Sequence, residues 1–272
     1  MTDNTIAFSM VATNAYFTLG LRFLNRFNRF YVGESKVKFY FFSDQDPTEY
    51  VPDNIDVTYK PFHHENWLDA TNSKSKLMLS VLNENEVDRS FDYLYHVDAD
   101  TNISEEFDEH WLLGDMVGFK HFMNDMKESS INKPDYGYDR NPKSSCYVPV
   151  DSPNPHMYYH ACFYGGKVEN MTKLCTEMAQ CQEYNESIGW EAPVNDESIL
   201  NYYFHYNPPV KVVAPYTDYK FNFSHKGGYP NDSIWRNPES DECHTVMERH
   251  KSAIATNKNG CWNLHTGEVV FD

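Results

Sequence analysis

The sequence predicts an α/β fold in which a single, mixed but mostly parallel β-sheet is flanked by helices. Apolar residues form 40% of the 272-residue chain and charged residues 23%, which is the usage of ordinary globular proteins. Short apolar runs rich in β-formers alternate with segments that have helical periodicity. This alternation favours a mostly parallel sheet whose strands are connected by helices.

Four strands and two helices are predicted in the first part of the chain. The strands are Thr5–Val11, Lys36–Ser43, Ile55–Tyr59 and Phe91–Val97. One helix follows the first strand, because apolar residues recur at helical spacing from Phe17 to Phe27, and the other covers Lys76–Leu82. Parallel sheets bind ligands at the carboxyl ends of their strands, so the acidic residues after Val97 occupy a favoured position.

The second part follows a long loop, residues 124–145, which has no periodicity and is rich in Asn, Asp, Ser, Lys and Pro. A strand at Tyr158–Tyr164, a glycine pair and a helix that starts near Val168 come next. The Met and Cys residues on one face of that helix are predicted to fill the core and not to bind a metal. A further helix starts near Asp196, and Lys211–Ala214 is predicted to be a late strand.

Charge and cysteine content argue against several classes of protein. The chain has 40 acidic and 23 basic residues, a formal charge of −17, so nucleic acid and anionic membranes are not expected partners. No stretch approaches the roughly 20 apolar residues of a membrane span, and the first residues lack a signal-peptide pattern. We therefore expect a cytoplasmic protein without a membrane segment, whose six cysteines are free thiols. The oligomeric state stays open.

Asp98 and Asp100 form the strongest local signal. They follow a predicted strand, and alternation along that strand would place both carboxylates on the same side. Two hard oxygen ligands suit Mg²⁺ or Mn²⁺ and leave coordination positions for a diphosphate. A second D-x-D, Asp44 and Asp46, precedes a proline and is interpreted as a turn. Aspartyl-phosphate phosphatases also carry D-x-D after a strand, but Asn102 stands where they have Thr or Val, and their strand comes first in the chain.

Asn195, Asp196 and Glu197 start a predicted helix, and two interpretations of them stay open. Carboxylates at this position favour the positive end of the helix dipole and can cap free amides, which would give them a structural role. The alternative is a role in a binding site. The chain contains no zinc-protease, dinucleotide-binding, P-loop or serine-hydrolase motif, so those enzyme classes lose their main support.

Seven separated segments carry a resemblance to a known family. They are TIAFSMVATNAYF, FYVGESKVKFYFFSDQ, NWLDATNSKSK, DYLYHVDAD, GYDRNPKSSCYVP, YYHACFYGG and WEAPVNDESILNYYF. In this order, from about Thr5 to Pro215, they resemble glycosyltransferase family 6, the retaining α-1,3-galactosyl- and N-acetylgalactosaminyltransferases of the histo-blood-group type. Because the chain begins almost at the first strand, it is similar to a soluble microbial or viral member without a membrane anchor.

The resemblance implies a GT-A-type nucleotide-sugar transferase fold, built on one Rossmann-like sheet, and a set of ligands. The donor would be UDP-galactose or UDP-N-acetylgalactosamine, and the acceptor a β-galactoside-type oligosaccharide or glycolipid. The cofactor would be Mn²⁺, with Mg²⁺ as the alternative, held by the matching pair Asp98 and Asp100. The other implied donor contacts are Val11, Ala12 and Tyr16 at the uridine, Lys74 in place of an arginine, His160, Ala161 and Cys162 at C2 of the sugar, and Asp196.

The resemblance also implies a catalytic carboxylate and an acceptor region. Glu197 matches the carboxylate on the β-face of the transferring sugar, while Val194 and Asn195 replace an aromatic residue and a histidine that touch the acceptor. Whether Glu197 attacks the sugar or stabilises its positive charge is open at this stage.

We expect one catalytic domain, residues 1–272. It would consist of a nucleotide-sugar-binding half (1–123), the loop (124–145), an acceptor and catalytic half (146–221) and a C-terminal tail (222–272). The rival class is a non-catalytic glycan-binding protein, in which the 20 Tyr, 18 Phe and 5 Trp residues would stack on sugars.

Overall fold

The computed structural model describes residues 4–14, 16–101, 103, 106–121, 137–152 and 157–213, together with the backbone of 261–263 and 268–270. The strands are β1 (Thr5–Val11), β2 (Lys36–Ser43), β3 (Asp56–Pro61), β4 (Tyr93–Val97), β5 (Met116–Lys120), β6 (Tyr159–Lys167), β7 (Lys211–Val213), β8 (Cys261–Asn263) and β9 (Glu268–Val270). The helices are α1 (Tyr16–Phe30), α2 (Trp67–Asp88), α3 (Val168–Ser187) and α4 (Asn195–Tyr206), with one 3-10 turn at Glu109–Trp111.

Within these residues, seven strands form one sheet in the order β3-β2-β1-β4-β6-β5-β7, and β8 pairs with β9. The pairs β1–β2, β2–β3 and β5–β7 are parallel, whereas β5–β6 is antiparallel. A mixed, mostly parallel sheet flanked by helices was predicted from the sequence, and the structure confirms this fold class.

The chain divides into two compact units, the first of which comprises residues 1–63, 96–110 and 218–272. In this unit α1 packs its apolar face on β1 and β2. The Phe8 ring lies 5.2 Å from the rings of both Phe27 and Phe39. Gly20 permits the close approach, because a Cβ at this position would lie 2.8 Å from the Cβ of Ala12. The carboxyl end of β1 is thereby fixed against the first helix.

The second unit comprises residues 64–95 and 111–217 and contains α2, α3 and α4 with β5, β6 and β7. Asn66 caps α2, since its side-chain oxygen accepts the N–H of Asp69 at 3.1 Å. The Met and Cys residues of α3 that were predicted to fill the core are buried: Met171, Cys175, Met178 and Cys181.

The bounds of β1 and β2 agree with the prediction, and the remaining predicted elements are present with shifted ends. The glycine pair was expected to end a strand, but β6 continues through both residues. A Cβ on Gly165 would lie 2.3 Å from the Tyr95 ring, so the glycine lets β6 pass close to that ring. The strand β5 was not predicted, because Gly118 lowers the strand propensity of a five-residue segment. Residues 124–136, Ala214 and most of the tail lie outside the described residues.

Two further expectations concern the whole chain. Among the described helices, none combines the length and the apolar character that crossing a bilayer requires. In the same part of the chain, Cys146, Cys162, Cys175 and Cys181 are buried and form no disulfide, as predicted. The domain boundaries at 123, 145 and 221 stay a prediction.

Candidate functional site

The loop after β1 is held by hydrogen bonds to the end of β2. Ala12 donates its N–H to the carbonyl of Phe42 at 2.8 Å, and Asn14 donates its N–H to Oδ1 of Asp44 at 2.9 Å. Asn14 has a φ of 52°, a left-handed conformation that asparagine tolerates better than most residues. The three residues predicted to contact the uridine lie at the end of β1 (Val11), in this loop (Ala12) and at the start of α1 (Tyr16).

Asp98 and Asp100 lie in a turn and not in a strand. β4 ends at Val97, and the N–H of Thr101 donates to the carbonyl of Asp98 at 3.0 Å, which closes the turn. Aspartate favours turns because its short side chain can bond to nearby backbone, and the apolar run that forms the strand stops before it. Strand alternation therefore does not orient these carboxylates, and that part of the sequence argument is wrong.

A buried histidine orients the first of these aspartates. His96, whose side chain is 1% exposed, has Nε2 2.9 Å from Oδ1 of Asp98, whose side chain is 22% exposed. Hydrogen-bonded partners of this kind fix the direction of carboxylates that bind metals. Carboxylate oxygens are hard ligands that suit Mn²⁺ and Mg²⁺. The residues present therefore fit the cation that the family resemblance implies.

The second D-x-D is used for local structure. Oδ1 of Asp46 accepts hydrogen bonds from the N–H and the hydroxyl of Thr48, at 2.9 and 2.7 Å. Asp44 accepts the N–H of Asn14, as described above. The interpretation of this motif as a turn is confirmed.

In the second unit, Glu197 is fixed against the backbone of β6. Its Oε2 accepts the N–H of Ala161 at 2.9 Å. One turn further along α4, the side-chain amide of Asn201 donates to the carbonyl of Tyr159 at 2.8 Å and accepts the N–H of the same residue at 2.7 Å. Helix and strand are thus clamped together, which brings two predicted site residues, Ala161 and Glu197, into contact.

Lys74 and Asp196, both predicted to contact the donor, form an ion pair. Lys74 Nζ lies 3.1 Å from Asp196 Oδ2, and the two side chains are 12% and 11% exposed. At such low exposure the pair is screened much less by solvent and salt than a surface pair. Lys74 on α2 therefore places a cation beside the carboxylate of Asp196 at the first turn of α4.

Burial raises the pKa of Glu197 to about 7, and the neighbouring charge of Asp196 also raises it. The Ala161 N–H, the Tyr158 hydroxyl and the charge of Lys74 lower it without offsetting the burial. Both protonation states of Glu197 are therefore accessible near neutral pH. Carboxyls shifted in this way are typical of groups that act on a reacting substrate.

The structure does not support the interpretation of these carboxylates as helix caps. The N-cap residue of α4 is Val194, and no side-chain cap hydrogen bond is made there. Instead Val194 donates its N–H to Oγ of Ser198 at 2.9 Å, and Asn195 has a left-handed φ of 46°. Asp196 and Glu197 are buried and bond to other elements. Contact of Val194 and Asn195 with an acceptor stays a prediction.

His160 is held between a backbone group and a second histidine. Its Nδ1 accepts the N–H of Cys162 at 3.1 Å, and its ring stacks on that of His121 with centroids 4.7 Å apart and planes inclined by 15°. His121, His160 and Glu197 offer ligand atoms that all lie within 4.8 Å of one another. Nearly parallel rings, however, direct their lone pairs in separate planes, so one ring would have to turn before both could bind one cation.

Three residues of this region were missed by the analysis of the sequence: His121, Tyr158 and Asn201. A signal for Asn201 existed, because it lies four residues after Glu197 and thus on the same face of α4. His121 follows β5, which was not predicted, so nothing in the sequence indicated its position. Tyr158 lowers the pKa of Glu197 through a side-chain hydrogen bond. The two residues are far apart in sequence, so only the folded structure shows that they meet.

Comparison with known proteins first gives the class of the molecule. Three similar proteins are transferases by name. Histo-blood group ABO system transferase 1 of Rattus norvegicus is 28% identical over 219 residues, covering 78% of this chain and 60% of the relative. Globoside alpha-1,3-N-acetylgalactosaminyltransferase 1 of Gallus gallus is 25% identical over 226 residues, covering 78% and 60%. The O-antigen biosynthesis glycosyltransferase WbnI of Escherichia coli is 25% identical over 191 residues, covering 69% and 76%.

The family follows from the match of residues 1–227 to the model of Glycosyltransferase family 6. The chain belongs to glycosyltransferase family 6, as the resemblance of its segments indicated. It spans 60 to 63% of the length of the two rat transferases that it matches.

Proposed function

We propose that the chain is a retaining hexosyltransferase. It transfers galactose or N-acetylgalactosamine from a UDP-sugar, in α-1,3 linkage, to a β-galactoside-type acceptor, and it depends on Mn²⁺. The observation that carries the proposal is the hydrogen bond of Ala161 to the buried Glu197. It joins two segments, YYHACFYGG and NDESILN, that resemble the family independently of each other. The names of the rat and chicken relatives support the type of reaction.

Glu197 is the group proposed to act on the transferring sugar. Cleavage of the anomeric C–O bond leaves positive charge on the ring, and a carboxylate can stabilise that charge or attack the anomeric carbon. Either path retains the configuration. The Ala161 N–H fixes one carboxylate oxygen, so the group need not reorganise during the reaction.

Asp196 is proposed to bind hydroxyls of the same sugar. Paired with the Lys74 ammonium group, the Asp196 carboxylate offers acceptor oxygens. Sugar hydroxyls donate to such oxygens, and charge-assisted hydrogen bonds of this kind are strong. His160, Ala161 and Cys162 are proposed to contact C2 of the sugar, where the size of Cys162 favours galactose over its N-acetylated form.

Asp98 and Asp100 are proposed to hold the cation, with His96 orienting the first carboxylate. When bound, Mn²⁺ would neutralise charge that develops on the departing diphosphate. The loop from Val11 to Tyr16 is proposed to receive the uridine, with the partly exposed Tyr16 ring as a stacking surface. Val194 and Asn195 are proposed to touch the acceptor.

A donor screen tests the proposal. UDP-galactose and UDP-N-acetylgalactosamine are incubated with Mn²⁺ and with lactose or fucosylated lactose, and NMR of the product gives its anomeric configuration. We expect an α-linked product from one of the donors and none in the presence of EDTA. A β-linked product, or transfer that persists in EDTA, would contradict the proposal.

Thermal unfolding separates this proposal from the rival glycan-binding function. A transferase is stabilised by UDP together with Mn²⁺, since a ligand that binds only the folded state raises the melting temperature. A glycan-binding protein is stabilised by free β-galactosides and is indifferent to the nucleotide.

A further inference from the structure

Two segments of the second unit come close to the proposed catalytic carboxyl. In the first, residues 137–139, a Cβ on Gly137 would overlap the hydroxyl of Tyr158, and this hydroxyl bonds to Glu197. Gly137 has a φ of 72°, which glycine adopts without strain. The second segment, residues 190–194, leads into α4 and ends at the first of the two residues predicted to touch the acceptor. The separation of the two segments therefore bears on the space beside the carboxyl.

Asp139 joins the two segments through a hydrogen bond to Trp190. The Asp139 side chain is fully buried, and its Oδ2 accepts the indole Nε1–H of Trp190 at 2.8 Å. Its Oδ1 accepts the N–H of Asn141 at 2.9 Å, and the Cys146 thiol lies 3.6 Å from Oδ2. Burying a carboxyl group costs free energy unless donors meet its oxygens. The unit is therefore most stable when the Trp190 indole stays at this distance.

Asn185, at the end of α3, holds the same two segments a second time. It is 1% exposed, and its Oδ1 accepts the N–H of Ser145 at 3.0 Å. Its carbonyl oxygen accepts the N–H of Trp190 at 2.9 Å. The Trp190 backbone is thus anchored independently of its indole. Removing the indole bond is expected to loosen the connection between α3 and α4 without unfolding the unit.

The two carboxylates at the start of α4 are fixed by other bonds. Oε2 of Glu197 accepts the N–H of Ala161 at 2.9 Å, and its carbonyl oxygen accepts the side-chain amide of Asn201 at 2.8 Å. Asp196 is paired with Lys74 at 3.1 Å. The first turn of α4 is thereby joined to β6 and α2. Loss of the indole bond is therefore expected to displace the residues before this turn and to leave the catalytic carboxyl in place.

We propose that Asp139 is a positioning residue for the acceptor, because through Trp190 it sets the place of the connection between α3 and α4. This connection runs into the two residues predicted to touch the acceptor, Val194 and Asn195. The link itself rests on the hydrogen bonds described above, whereas its meaning for the acceptor rests on the proposed function.

Trp190→Phe tests the proposal, because it keeps a ring and removes the Nε1–H that Asp139 accepts. With the active donor and Mn²⁺ at saturating concentration, we expect the KM for lactose to rise about fivefold, while kcat and the donor KM stay within about twofold. Asp139→Asn leaves one acceptor oxygen for two N–H donors, so the KM for lactose should rise as well. Adding Trp190→Phe to Asp139→Asn should then raise this KM by less than Trp190→Phe does alone, since both changes break one bond.

Two controls separate positioning from loss of stability. Val81→Ala removes methyl groups from a fully buried position on α2, and it should lower the melting temperature without changing the KM for lactose. Tyr184→Phe removes the hydroxyl of a half-exposed ring at the end of α3, and it should change neither value. An equal rise of the KM in Val81→Ala and Trp190→Phe would overturn the proposal, because the KM would then follow stability alone.

Hydrogen exchange of the free protein tests the link without metal, donor or acceptor. The amides of Val194 and Asn195 donate hydrogen bonds of 2.9 and 3.0 Å. In Trp190→Phe these two amides should exchange about fivefold faster, whereas the Ala161 amide should keep its rate. Unchanged exchange of Val194 and Asn195 in the folded variant would overturn the proposal.

The outcome can be separated from that of the proposed function. If no donor is consumed but the exchange responds as expected, the link stands, and the transferase proposal fails together with the meaning of the link for an acceptor. If sugar is transferred while neither the exchange nor the KM for lactose responds, only the present inference fails. If the exchange responds and the KM does not, Asp139 has a structural role and is not a positioning residue for the acceptor.

Discussion

The acidic residues of the first unit differ from those of the second in how they are held. Asp98 and Asp46 bond to groups two residues away along the chain, at the ends of strands. Glu197 and Asp196 bond to residues far away in sequence, on β6 and α2, and are buried. The first arrangement fixes a carboxylate by local structure and leaves Asp98 partly hydrated. The second needs the folded unit and removes the carboxylates from water.

The difference matters for chemistry, because hydration and charge state follow from it. A partly hydrated aspartate keeps its charge and can exchange water for a cation or a phosphate-bound metal. A buried carboxyl has a shifted pKa and is held ready for charge that develops on a substrate. We therefore expect substitutions in the first unit to affect binding and metal dependence, and those in the second to affect turnover, pH dependence and stability.

The largest effect is expected from Asp100→Asn. If Asp100 holds the cation as proposed, its loss would remove several kcal/mol of stabilisation of the leaving group, so transfer should fall on the order of 10³-fold. The measurement is initial rate against Mn²⁺ concentration. Asp46→Asn, in the other D-x-D of the same unit, is the matched control and should stay within about twofold of the unaltered rate. Equal losses in both variants would contradict the assignment of the metal to Asp98 and Asp100.

A smaller loss of rate is expected from Glu197→Gln, which keeps the shape of the side chain and removes its charge. Turnover should fall by roughly a hundredfold, the cost of losing one placed electrostatic group. In the unaltered protein the rate should rise with pH through about 7, where Glu197 ionises, and this limb should be absent in the variant. A pH profile of kcat measures both. Near-normal turnover in Glu197→Gln would remove the residue from the mechanism.

Breaking the buried pair of the second unit should cost stability. Lys74→Met leaves the Asp196 carboxylate without its cation and should lower the free energy of unfolding by about 3 kcal/mol, as for other buried pairs. The double variant Lys74→Met, Asp196→Asn should recover a large part of the loss, because no uncompensated charge is left. Denaturant unfolding at neutral pH gives both values. Ion pairs on the surface contribute little to stability. A loss of less than about 0.5 kcal/mol in the free energy of unfolding would therefore contradict the burial of this pair.

The raised pKa of Glu197 also predicts the sign of a pH effect on stability. Between the ordinary value of 4.5 and about 7 the folded state holds a proton that the unfolded state has lost. Stability from this group is therefore present at low pH and is lost as pH rises to about 7, by about 3 kcal/mol. Glu197→Gln should be more stable than the unaltered chain at pH 8 and similar to it at pH 4. Melting curves of both proteins at the two pH values measure this effect. The same difference in stability between the variant and the unaltered chain at pH 4 and at pH 8 would contradict the prediction.

The smallest effect is expected in the first unit from Asp44→Ala. This change removes the acceptor for the Asn14 N–H and should cost about 1 kcal/mol, because water can replace the lost bond at this partly exposed place. UDP affinity should weaken several-fold, since the loop after β1 loses one of the two hydrogen bonds that hold it to the end of β2. Asp44→Asn keeps the acceptor Oδ1, so its loss of stability and of UDP affinity should be less than half of that in Asp44→Ala. Calorimetric binding of UDP with Mn²⁺ measures the difference between the two variants.

The sequence predicted most of what local chemistry determines. Strands β1 and β2, the core face of α3 and the turn at Asp44 and Asp46 follow from periodicity and turn propensity, which act over a few residues. The start of α4 was predicted, but the roles of Asp196 and Glu197 were not decided by local pattern, because a cap and a buried site residue look alike there. The family resemblance favoured the second, and the contacts with Lys74 and Ala161 agree with it.

Two features could not be predicted, for physical reasons that differ. β5 is short and contains Gly118, so its existence depends on its neighbours β6 and β7 and not on propensity. The stack of His121 on His160 joins the residue that follows β5 to a residue of β6, and only the register of the β5–β6 pairing brings the two rings together. The turn at Asp98 was misjudged because the alternation of the strand was assumed to extend past Val97 to Asp100.

The amide of Asn201 has a consequence for how this molecule can change. The pairing of β5 with β6 is irregular between Gly118 and Lys120, and nearby the peptide groups of Tyr159 are satisfied by a side chain from α4 instead. Asn201 of α4 both donates to and accepts from the backbone of Tyr159, as a residue of a neighbouring strand would. The position of α4 along β6 is therefore fixed by two hydrogen bonds. Tilting or sliding α4 against β6 would break both bonds and displace the first turn of the helix, which carries Asp196 and Glu197.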